Sequence, residues 1–490
     1  MGLKRFVVTP PQRVTPEEAE RAYLSGTDRL AWPAQTRYEN GELLLERTVS
    51  ESASLNMPWP VEGHGRPTLS TGCLIEQVSA YELPLELARG TVNQLRGQLD
   101  EWRSIGLAVP QQTAAKVIEA IRHLSHAAVT QEDRQASAER AERAIRIALD
   151  AAEELADTYA AQVLAARHRS VDKLPTLLIG DLGTSTLDDN TAKLFRQTFN
   201  AAAVPIRWRE VEASEGKHNW ATTDEQIRWC RSQNLRVCGG PLLQLDKHVL
   251  PDWLYLWEDD LDNLQSFVVA HASAAVGRYR GKVDVWQAAA RTNVADILSL
   301  SEEDNLRLTA LCIQRIRELD PNTPVSVSID QPWAEYFSRR EMDFPPLHFV
   351  DTLARSGLEL AAVTLEINLG YQPDGTLPRT PLEFSRQLDY WSLLGLPLLV
   401  SITVPSSGQE DPLARHDTAA PDDSTPESQQ AWIARYVPLM LAKPFVSGVI
   451  WNQLRDGEPH DFPHGGLFNG QGRPKPALGT LAGLRQSHLK

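Results

Sequence analysis

The repeating pattern of the C-terminal part constrains the fold more than any other feature of this sequence. Between residues 174 and 487, short apolar runs alternate with amphipathic stretches of helical periodicity. The eight runs are Leu177–Ile179, Val204–Trp208, Leu235–Leu243, Val283–Trp286, Val325–Ile329, Leu360–Ile367, Leu396–Val404 and Val446–Trp451. Strands that alternate with helices form parallel sheets, and an open sheet of this length would need two domains. The pattern predicts an α/β fold, a (β/α)8 TIM barrel over residues 174–490.

The residues before the predicted barrel fall into two zones. Residues 1–85 are rich in turns and short β-type runs, and Asn40-Gly41 is a hairpin signal because both residues tolerate positive φ. Residues 86–173 have helical periodicity, and Thr130–Asp133 resembles a capping box before a long apolar stripe. The sequence therefore predicts a β-rich, sandwich-like module at 1–85 and a helical hairpin or connector at 86–173.

The acidic net charge of the chain argues against partners that favour a basic protein surface. The formal net charge is -15, whereas nucleic acids and anionic membranes favour basic surfaces. No stretch approaches the ~20 apolar residues that a membrane helix needs, and the N-terminus lacks the apolar core of a signal peptide. We expect a carbohydrate partner, no nucleic acid and no membrane. The chain as written is predicted to be cytoplasmic, with secretion of a processed form as the alternative.

The sequence predicts neither a cofactor nor a metal. Its four cysteines, Cys73, Cys230, Cys238 and Cys312, lack the spacing of a metal site and favour reduced thiols. It also contains no Walker loop and no dinucleotide-binding fingerprint.

Five ordered groups of segments resemble a known family. They are Phe199-Asn200 with Arg207-Trp208, Val237–Leu243 with Leu250–Trp253, Tyr279–Trp286, Gly395–Val400, and Val449–Trp451 with Gly466–Ala477. In order and spacing they resemble segments of glycoside hydrolase family 10, the xylanase family. The resemblance implies a barrel that acts on, or binds, a polysaccharide or oligosaccharide at its mouth.

The chemistry of that family does not carry over with the resemblance. Family members continue strand 4 as Trp-Asp-Val-Val-Asn-Glu, with the Glu as general acid/base, but here Ala290-Arg291 stand at the Asn-Glu positions. The family's strand 7 reads Ile-Thr-Glu, with that Glu as nucleophile, but here Ile402–Val404 contains no carboxylate. A retaining mechanism needs two carboxyl groups about 5 Å apart. The resemblance therefore implies that both catalytic glutamates are missing and that xylan is not hydrolysed by the usual mechanism.

Carboxylates that follow the predicted strands are the candidate catalytic residues, because barrel active sites lie at the carboxyl ends of strands. They are Glu366, Asp330 and Glu335. Glu366 interrupts an apolar run, where an isolated carboxylate is costly to bury unless it is paired or lies at the open end. A structural ion pair with Arg291, Arg379 or Arg207 is the alternative for Glu366. A helix-capping or ion-pair role is the alternative for Asp330.

Aromatic, amide and guanidinium side chains at the same strand ends are the candidate substrate-binding residues. Indole rings pack well on the C–H faces of sugars. The candidates are Arg207, Trp286, Gln287, Arg291, Asn293, Gln331, Trp333, Asn368, Tyr371, Trp451 and Asn452. Arg291 in place of an acid suggests a nearby anionic group, which is either an acidic sugar or Glu366 itself.

Three functions remain open at this level. The chain is a carbohydrate-active enzyme with a relocated carboxylate pair, a non-catalytic glycan-binding pseudoenzyme, or a structural protein that forms homo-oligomers through its helical segment. Residues 405–430 form a long polar segment, rich in Pro, Asp, Ser and Thr, which predicts either a lid over the mouth or a disordered insertion.

Overall fold

The computed structural model describes residues 2–372, 375–420 and 424–490 and divides into two compact units. The N-terminal unit comprises Met1–Arg167, Trp333–Glu341 and Thr376–Tyr390. The barrel unit comprises His168–Pro332, Met342–Gly375 and Trp391–Lys490. Two short segments from the second half of the sequence therefore belong to the N-terminal unit.

The strands of the N-terminal unit form two four-stranded sheets, β4-β5-β1-β8 and β3-β2-β6-β7. The strands are β1 Gly2–Val7, β2 Tyr23–Ser25, β3 Ala31–Trp32, β4 Gln35–Glu39, β5 Glu42–Arg47, β6 Ser54–Pro58, β7 Thr68–Ser70 and β8 Tyr81–Glu82. The predicted hairpin joins β4 to β5 in antiparallel register. Its turn residues Asn40 and Gly41 have φ values of 53° and 79°, the conformation that only a few residue types adopt without strain.

Four helices complete the N-terminal unit before the barrel begins. They are α1 Pro16–Ala19, α2 Leu83–Ser104, α3 Gln111–Val129 and α4 Arg134–Arg167. The apolar stripe of α4 is buried at Ala144, Ala148 and Leu155, and the ring of Trp102 stacks on that of Tyr159 with centroids 4.1 Å apart. Packing of this stripe fixes α4 against α2, as the periodicity predicts.

Glu142 links helix α4 to the β-rich part of the same unit. The indole Nε1 of Trp59 donates to its Oε1 over 3.0 Å, and Nη2 of Arg13 donates to its Oε2 over 2.6 Å. Burial raises the pKa of the Glu142 carboxyl to about 7, against the lowering effects of Arg13 and of the Trp59 hydrogen bond. The carboxyl therefore retains its proton at a pH where an exposed glutamate is ionised.

A raised folded-state pKa makes the stability of this unit depend on pH. Folded Glu142 binds its proton more tightly than the unfolded chain does, so the free energy of unfolding decreases as pH rises from 4.5 to about 7. We expect Glu142→Gln to remove a change on the order of 2 kcal/mol from a denaturation profile over that window. Glu139→Gln, on an exposed part of α4, is the control and keeps the wild-type profile. Identical profiles for wild type and Glu142→Gln would contradict this.

The barrel unit contains the predicted eight-stranded parallel barrel. Its strands are β9 Leu177–Asp181, β10 Ala201–Val204, β11 Arg236–Gly239 continued by β12 Leu243–Gln244, β13 Val285–Ala290, β14 Val325–Asp330, β15 Ala362–Asn368, β17 Leu398–Thr403 and β19 Val446–Trp451. The third strand is interrupted between β11 and β12, and both pieces pair with β13, which closes the barrel. A short antiparallel pair, β16 Tyr371–Gln372 with β18 Asp417–Thr418, lies outside it. The structure confirms the TIM-barrel fold class with its β-rich N-terminal module.

One strand lies earlier than its apolar run suggests. The run Val204–Trp208 contains only the last residue of β10, since Pro205 has no N–H to donate to a ladder. Helix α6 instead begins at Trp208, and Arg207 is its N-cap residue. The helices that follow α4 in the chain are α5 Asp189–Thr198, α6 Trp208–Val211, α7 Ala221–Ser232, α8 Leu261–Tyr279, α9 Glu302–Leu319, α10 Pro346–Arg355, α11 Pro381–Ser392, α12 Pro426–Ala442 and α13 Pro476–His488. Most of α11 lies in the segment Thr376–Tyr390 of the N-terminal unit. Within the described ranges, no helix combines the length and the apolar character needed to cross a membrane.

Candidate functional site

The interior of the barrel changes from apolar to polar towards the carboxyl ends of its strands. An apolar cluster that includes Ile179, Ala203 and Ile450 fills the lower part. Because side chains alternate along a strand, the next interior positions carry polar residues. Asp181, Gln287, Glu366, Ser401 and Asn452 line a cavity of about 70 Å³. That volume holds a few water molecules and is far below the ~300 Å³ of a typical ligand pocket.

Glu366 is held on both of its carboxylate oxygens. Nε of Arg291 donates to its Oε2 over 2.8 Å, and the hydroxyl of Ser328 donates to its Oε1 over 2.6 Å. The glutamate is only 5% exposed. Of the three arginines that the sequence offers as partners, the structure pairs Glu366 with Arg291.

Arg291 follows β13 with a left-handed backbone, at φ 58°. Its Nη1 lies 3.8 Å from Oδ2 of Asp461, and its guanidinium lies 5.2 Å from the centroid of the Phe462 ring. Burial acts to lower the pKa of Arg291, but Glu366, Asp330 and Asp461 raise it above its usual range. The arginine is therefore a permanent positive charge that carboxylates of the same chain compensate.

Asp461 joins this network from the loop after β19. Its Oδ1 accepts from Nη1 of Arg415 over 2.9 Å. Burial acts to raise the pKa of Asp461, but Arg207, Arg291 and Arg415 together hold it well below its usual range. Sequence reasoning did not select Asp461, because it lies within a loop whose sequence has no periodicity.

Asp181 lines the cavity and has a raised pKa, whereas the pKa of Asp461 is lowered. Asp181 lies at the end of β9, and its Oδ1 accepts from the backbone N–H of Gly183 over 2.7 Å. Burial raises its pKa to about 6, against the lowering effects of Gly183 and Arg207 and with the support of Asp461. A carboxyl that titrates near neutral pH is suited to donate a proton. Its position after the first strand is visible in the sequence, but its burial is not.

Asp330 is involved in a local turn. Its Oδ1 accepts from the backbone N–H of Gln331 over 2.9 Å, and Gln331 has a left-handed φ of 49°. The side-chain amide of Asn293 bonds both backbone groups of Asp330, donating to its carbonyl over 3.0 Å and accepting from its N–H over 3.1 Å. These three predicted residues come together in one buried turn.

Glu335 and Trp333 belong to the N-terminal unit and do not line the cavity. Nη2 of Arg379 donates to Oε1 of Glu335 over 2.5 Å and to the hydroxyl of Tyr23 over 3.1 Å. The Arg379 guanidinium lies 5.1 Å from the Trp333 ring. In this unit Glu335 is one half of a buried ion pair.

The remaining tryptophan candidates point away from the cavity. Trp286 is fully buried, and its Nε1 donates to Asp320 Oδ2 over 3.0 Å. Trp451 is also buried, and its Nε1 donates to the carbonyl of Gly465 over 3.1 Å. Neither ring has a free face for a sugar in this structure.

The predicted residues of strands 6 and 8 do meet. Nδ2 of Asn452 donates to Oδ1 of Asn368 over 3.4 Å, and the Tyr371 ring packs against Phe462 with centroids 4.8 Å apart. Arg207 and Gln287 line the central cavity with Asn452. The structure thus collects Arg207, Gln287, Arg291, Glu366 and Asn452 around one cavity.

The described part of the segment 405–430 is attached to the loop after β19. Asp411 accepts from Nε2 of His460 over 3.1 Å and from the backbone N–H of His464 over 3.2 Å. Residues 421–423 of this segment lie outside the described residues. Among the residues that the structure describes, no group of three His, Cys, Asp or Glu side chains is arranged to hold a metal ion.

Comparisons with known proteins found sequence similarity in the first half of the barrel. Residues 179–291 match the sequence profile of glycosyl hydrolase family 10. Endo-1,4-beta-xylanase 3 of Hypocrea jecorina is 27% identical over 81 residues, which are 16% of this chain and 22% of that protein. Endo-1,4-beta-xylanase C of Paenibacillus barcinonensis is 26% identical over 106 residues, 20% of this chain and 10% of that protein. The chain thus spans less than a quarter of the length of these curated relatives.

The solved structures that are similar to this chain include two xylanases. Native xylanase 10B from Thermotoga maritima has 15% identity and a TM-score of 0.49, with 65% of this chain and 97% of that chain covered. Xylanase 10B from Thermotoga petrophila RKU-1, in complex with xylobiose, has 15% identity and a TM-score of 0.48, with 67% and 96% covered. The profile match shows that residues 179–291, in the first half of the barrel, are similar to glycosyl hydrolase family 10.

Proposed function

We propose that this chain binds a saccharide at the carboxyl end of its barrel without hydrolysing it by the two-carboxylate mechanism of family 10. The observation that carries the proposal is the pairing of Arg291 with Glu366. Both oxygens of the glutamate are occupied, and the arginine stands where the resemblance places the acid/base glutamate. A guanidinium remains protonated in proteins and cannot exchange the proton that glycoside hydrolysis requires.

The charges around the cavity support a neutral saccharide. Arg291 faces Glu366, and both Arg291 and Arg207 face Asp461. The guanidinium charges are therefore compensated within the chain. An acidic sugar would have to displace one of these carboxylates, and desolvated charges are costly to leave unpaired.

A second candidate function, hydrolysis, is favoured by one observation, the pKa of about 6 at Asp181. A carboxyl group in this range can act as a general acid at neutral pH. This candidate retains the relocated-carboxylate hypothesis, with Asp181 in the role that the sequence suggests for Glu366. It requires a second carboxylate to act as base or nucleophile.

The proposed binding is tested with the full-length chain on an array of neutral and acidic oligosaccharides, followed by calorimetry with the strongest ligand. We expect neutral oligosaccharides to bind and Asp181→Asn to bind them with unchanged stoichiometry, since binding does not need a proton donor. Asn452→Ala, which removes an amide from the cavity wall, is expected to weaken binding. Failure to bind any saccharide, or binding of acidic oligosaccharides alone, would refute the proposal.

A further inference from the structure

A loop of the chain itself covers the cavity at the barrel mouth. This loop, residues 460–466, follows β19, and we call it the mouth loop. Asp461 within it lines the cavity. The neighbouring Phe462 is only 2% exposed, and its ring centroid lies 5.2 Å from the guanidinium of Arg291. The space left beneath, about 70 Å³, is far smaller than the ~300 Å³ of a typical ligand site. A saccharide can therefore reach the strand ends only after the mouth loop moves.

The carboxylate of Asp461 holds the mouth loop in place. Its Oδ1 accepts from Nη1 of Arg415 over 2.9 Å, and its Oδ2 lies 3.8 Å from Nη1 of Arg291. Arg207, which also lines the cavity, is a third positive charge that lowers the pKa of Asp461. Moving the loop away from the mouth separates this carboxylate from its cations, and buried charges are costly to leave unpaired.

A second segment, residues 406–418, ties the mouth loop down, and we call it the strap. The backbone N–H of Arg415 in the strap donates to the carbonyl of His460 over 3.1 Å. The ring of His416 stacks on the ring of Phe462, with centroids 4.9 Å apart. Pairing of β18 with β16 anchors the end of the strap. The strap thus adds backbone, ring and charge contacts that keep the mouth loop over the cavity.

Gly465 allows the mouth loop to approach the end of β17 closely. A Cβ at this position would lie 2.3 Å from Cγ2 of Thr403 and 3.0 Å from the hydroxyl of Tyr371. Thr403 is fixed by the pairing of β17 with β15. Overpacking of such a contact forces the softer partner to shift, and here that partner is the loop. The close approach therefore depends on the absence of a side chain at residue 465.

Three buried polar atoms near this contact have no hydrogen-bond partner among the described residues. They are Nδ2 of Asn368 and the hydroxyls of Tyr371 and Thr403. A buried polar group that lacks a partner costs free energy. The closed arrangement therefore carries a cost that opening of the mouth loop relieves, which brings the closed and open states closer in free energy.

We infer that the mouth loop is an autoinhibitory plug, which the strap holds over the barrel mouth and which lifts before a saccharide binds. The inference rests on the proposed function and adds the regulation of that site. Only the open fraction of the protein binds ligand, so the apparent dissociation constant is the intrinsic one divided by that fraction. Weakening the contacts of the plug therefore tightens binding, which is the opposite of what the loss of a ligand contact does.

The test lifts the mouth loop with a methyl group. Gly465→Ala places a Cβ against Thr403, whereas Gly470→Ala is the matched control, because a Cβ at Gly470 meets nothing within 4 Å. Calorimetry with xylohexaose on the full-length chain is expected to show about ten-fold tighter binding in Gly465→Ala, the gain when an open state of roughly a tenth becomes the main state. Gly470→Ala keeps the wild-type affinity. Without ligand, the amides of residues 460–466 are expected to exchange hydrogen for deuterium faster in Gly465→Ala alone.

A second variant guards against loss of the fold in Gly465→Ala. Arg415→Gln removes the charge that the strap contributes to Asp461, and the Arg415 side chain is 24% exposed, so a small effect on stability is expected. It is expected to speed the same exchange and to tighten xylohexaose binding. Faster exchange with unchanged or weaker binding in both variants would overturn the inference and leave the proposed function intact, as would wild-type exchange and affinity in both. If neither the wild type nor either variant binds any oligosaccharide, both fail.

Discussion

Glu366→Gln is expected to lower the free energy of unfolding by about 3 kcal/mol, because it leaves a buried guanidinium without its main partner. The Arg291 side chain is 12% exposed, and after the change the acidic groups that still act on it are Asp330 and Asp461, the latter at 3.8 Å. Glutamine still accepts the hydrogen bond from Ser328 but carries no charge to compensate Arg291. Urea denaturation of the full-length chain at neutral pH measures the difference.

Two further variants separate the buried pair from ordinary charge effects. Glu303→Gln removes a carboxylate that pairs with Arg307 over 3.1 Å on an exposed surface, where about 0.5 kcal/mol or less is expected. Adding Arg291→Met to Glu366→Gln removes both charges and is expected to recover part of the lost stability. If Glu366→Gln unfolds at the wild-type urea concentration, Glu366 has no structural role as an ion-pair partner.

The barrel could be predicted from the sequence because burial of strands between helices leaves a regular apolar pattern. The exact position of a strand was less accessible, as the run Val204–Trp208 shows: Pro205 ends the ladder and the chain turns into α6. The assignment of Trp333–Glu341 and Thr376–Tyr390 to the N-terminal unit could not be predicted. Periodicity reports which face of a segment is buried, but not which other segment buries it.

In the candidate site, the sequence also does not show which neighbours each side chain meets in the folded chain. Trp286 and Gln287 are adjacent in β13, so only one of them can face the barrel interior, and that one is Gln287. The pairing of Glu366 with Arg291 was within reach of sequence reasoning, since Glu366 lies near the carboxyl end of β15 and Arg291 directly follows β13. Asp461 and the raised pKa of Asp181 were not, because both depend on which groups the folded chain brings near them.

The largest expected effect concerns the rate of glycoside hydrolysis. Removing a member of a catalytic set typically costs several orders of magnitude in rate. At the two positions where the resemblance places the family's glutamates, Arg291 follows β13 and the run Ile402–Val404 lacks a carboxylate. We therefore expect cleavage of a bound xylo-oligosaccharide to remain at the rate of the uncatalysed reaction.

Saccharide binding without hydrolysis is tested most directly by a time course of xylohexaose with the full-length chain. The NMR signals of the anomeric protons are followed at about pH 6, near the pKa of Asp181. Binding without hydrolysis predicts signals that broaden or shift, while no new reducing ends form. Steady release of shorter products, lost in Asp181→Asn, would contradict it and establish hydrolysis with a relocated acid. Release that is lost in Glu366→Gln at unchanged stability would contradict it as well, and would make Glu366 the catalytic carboxylate.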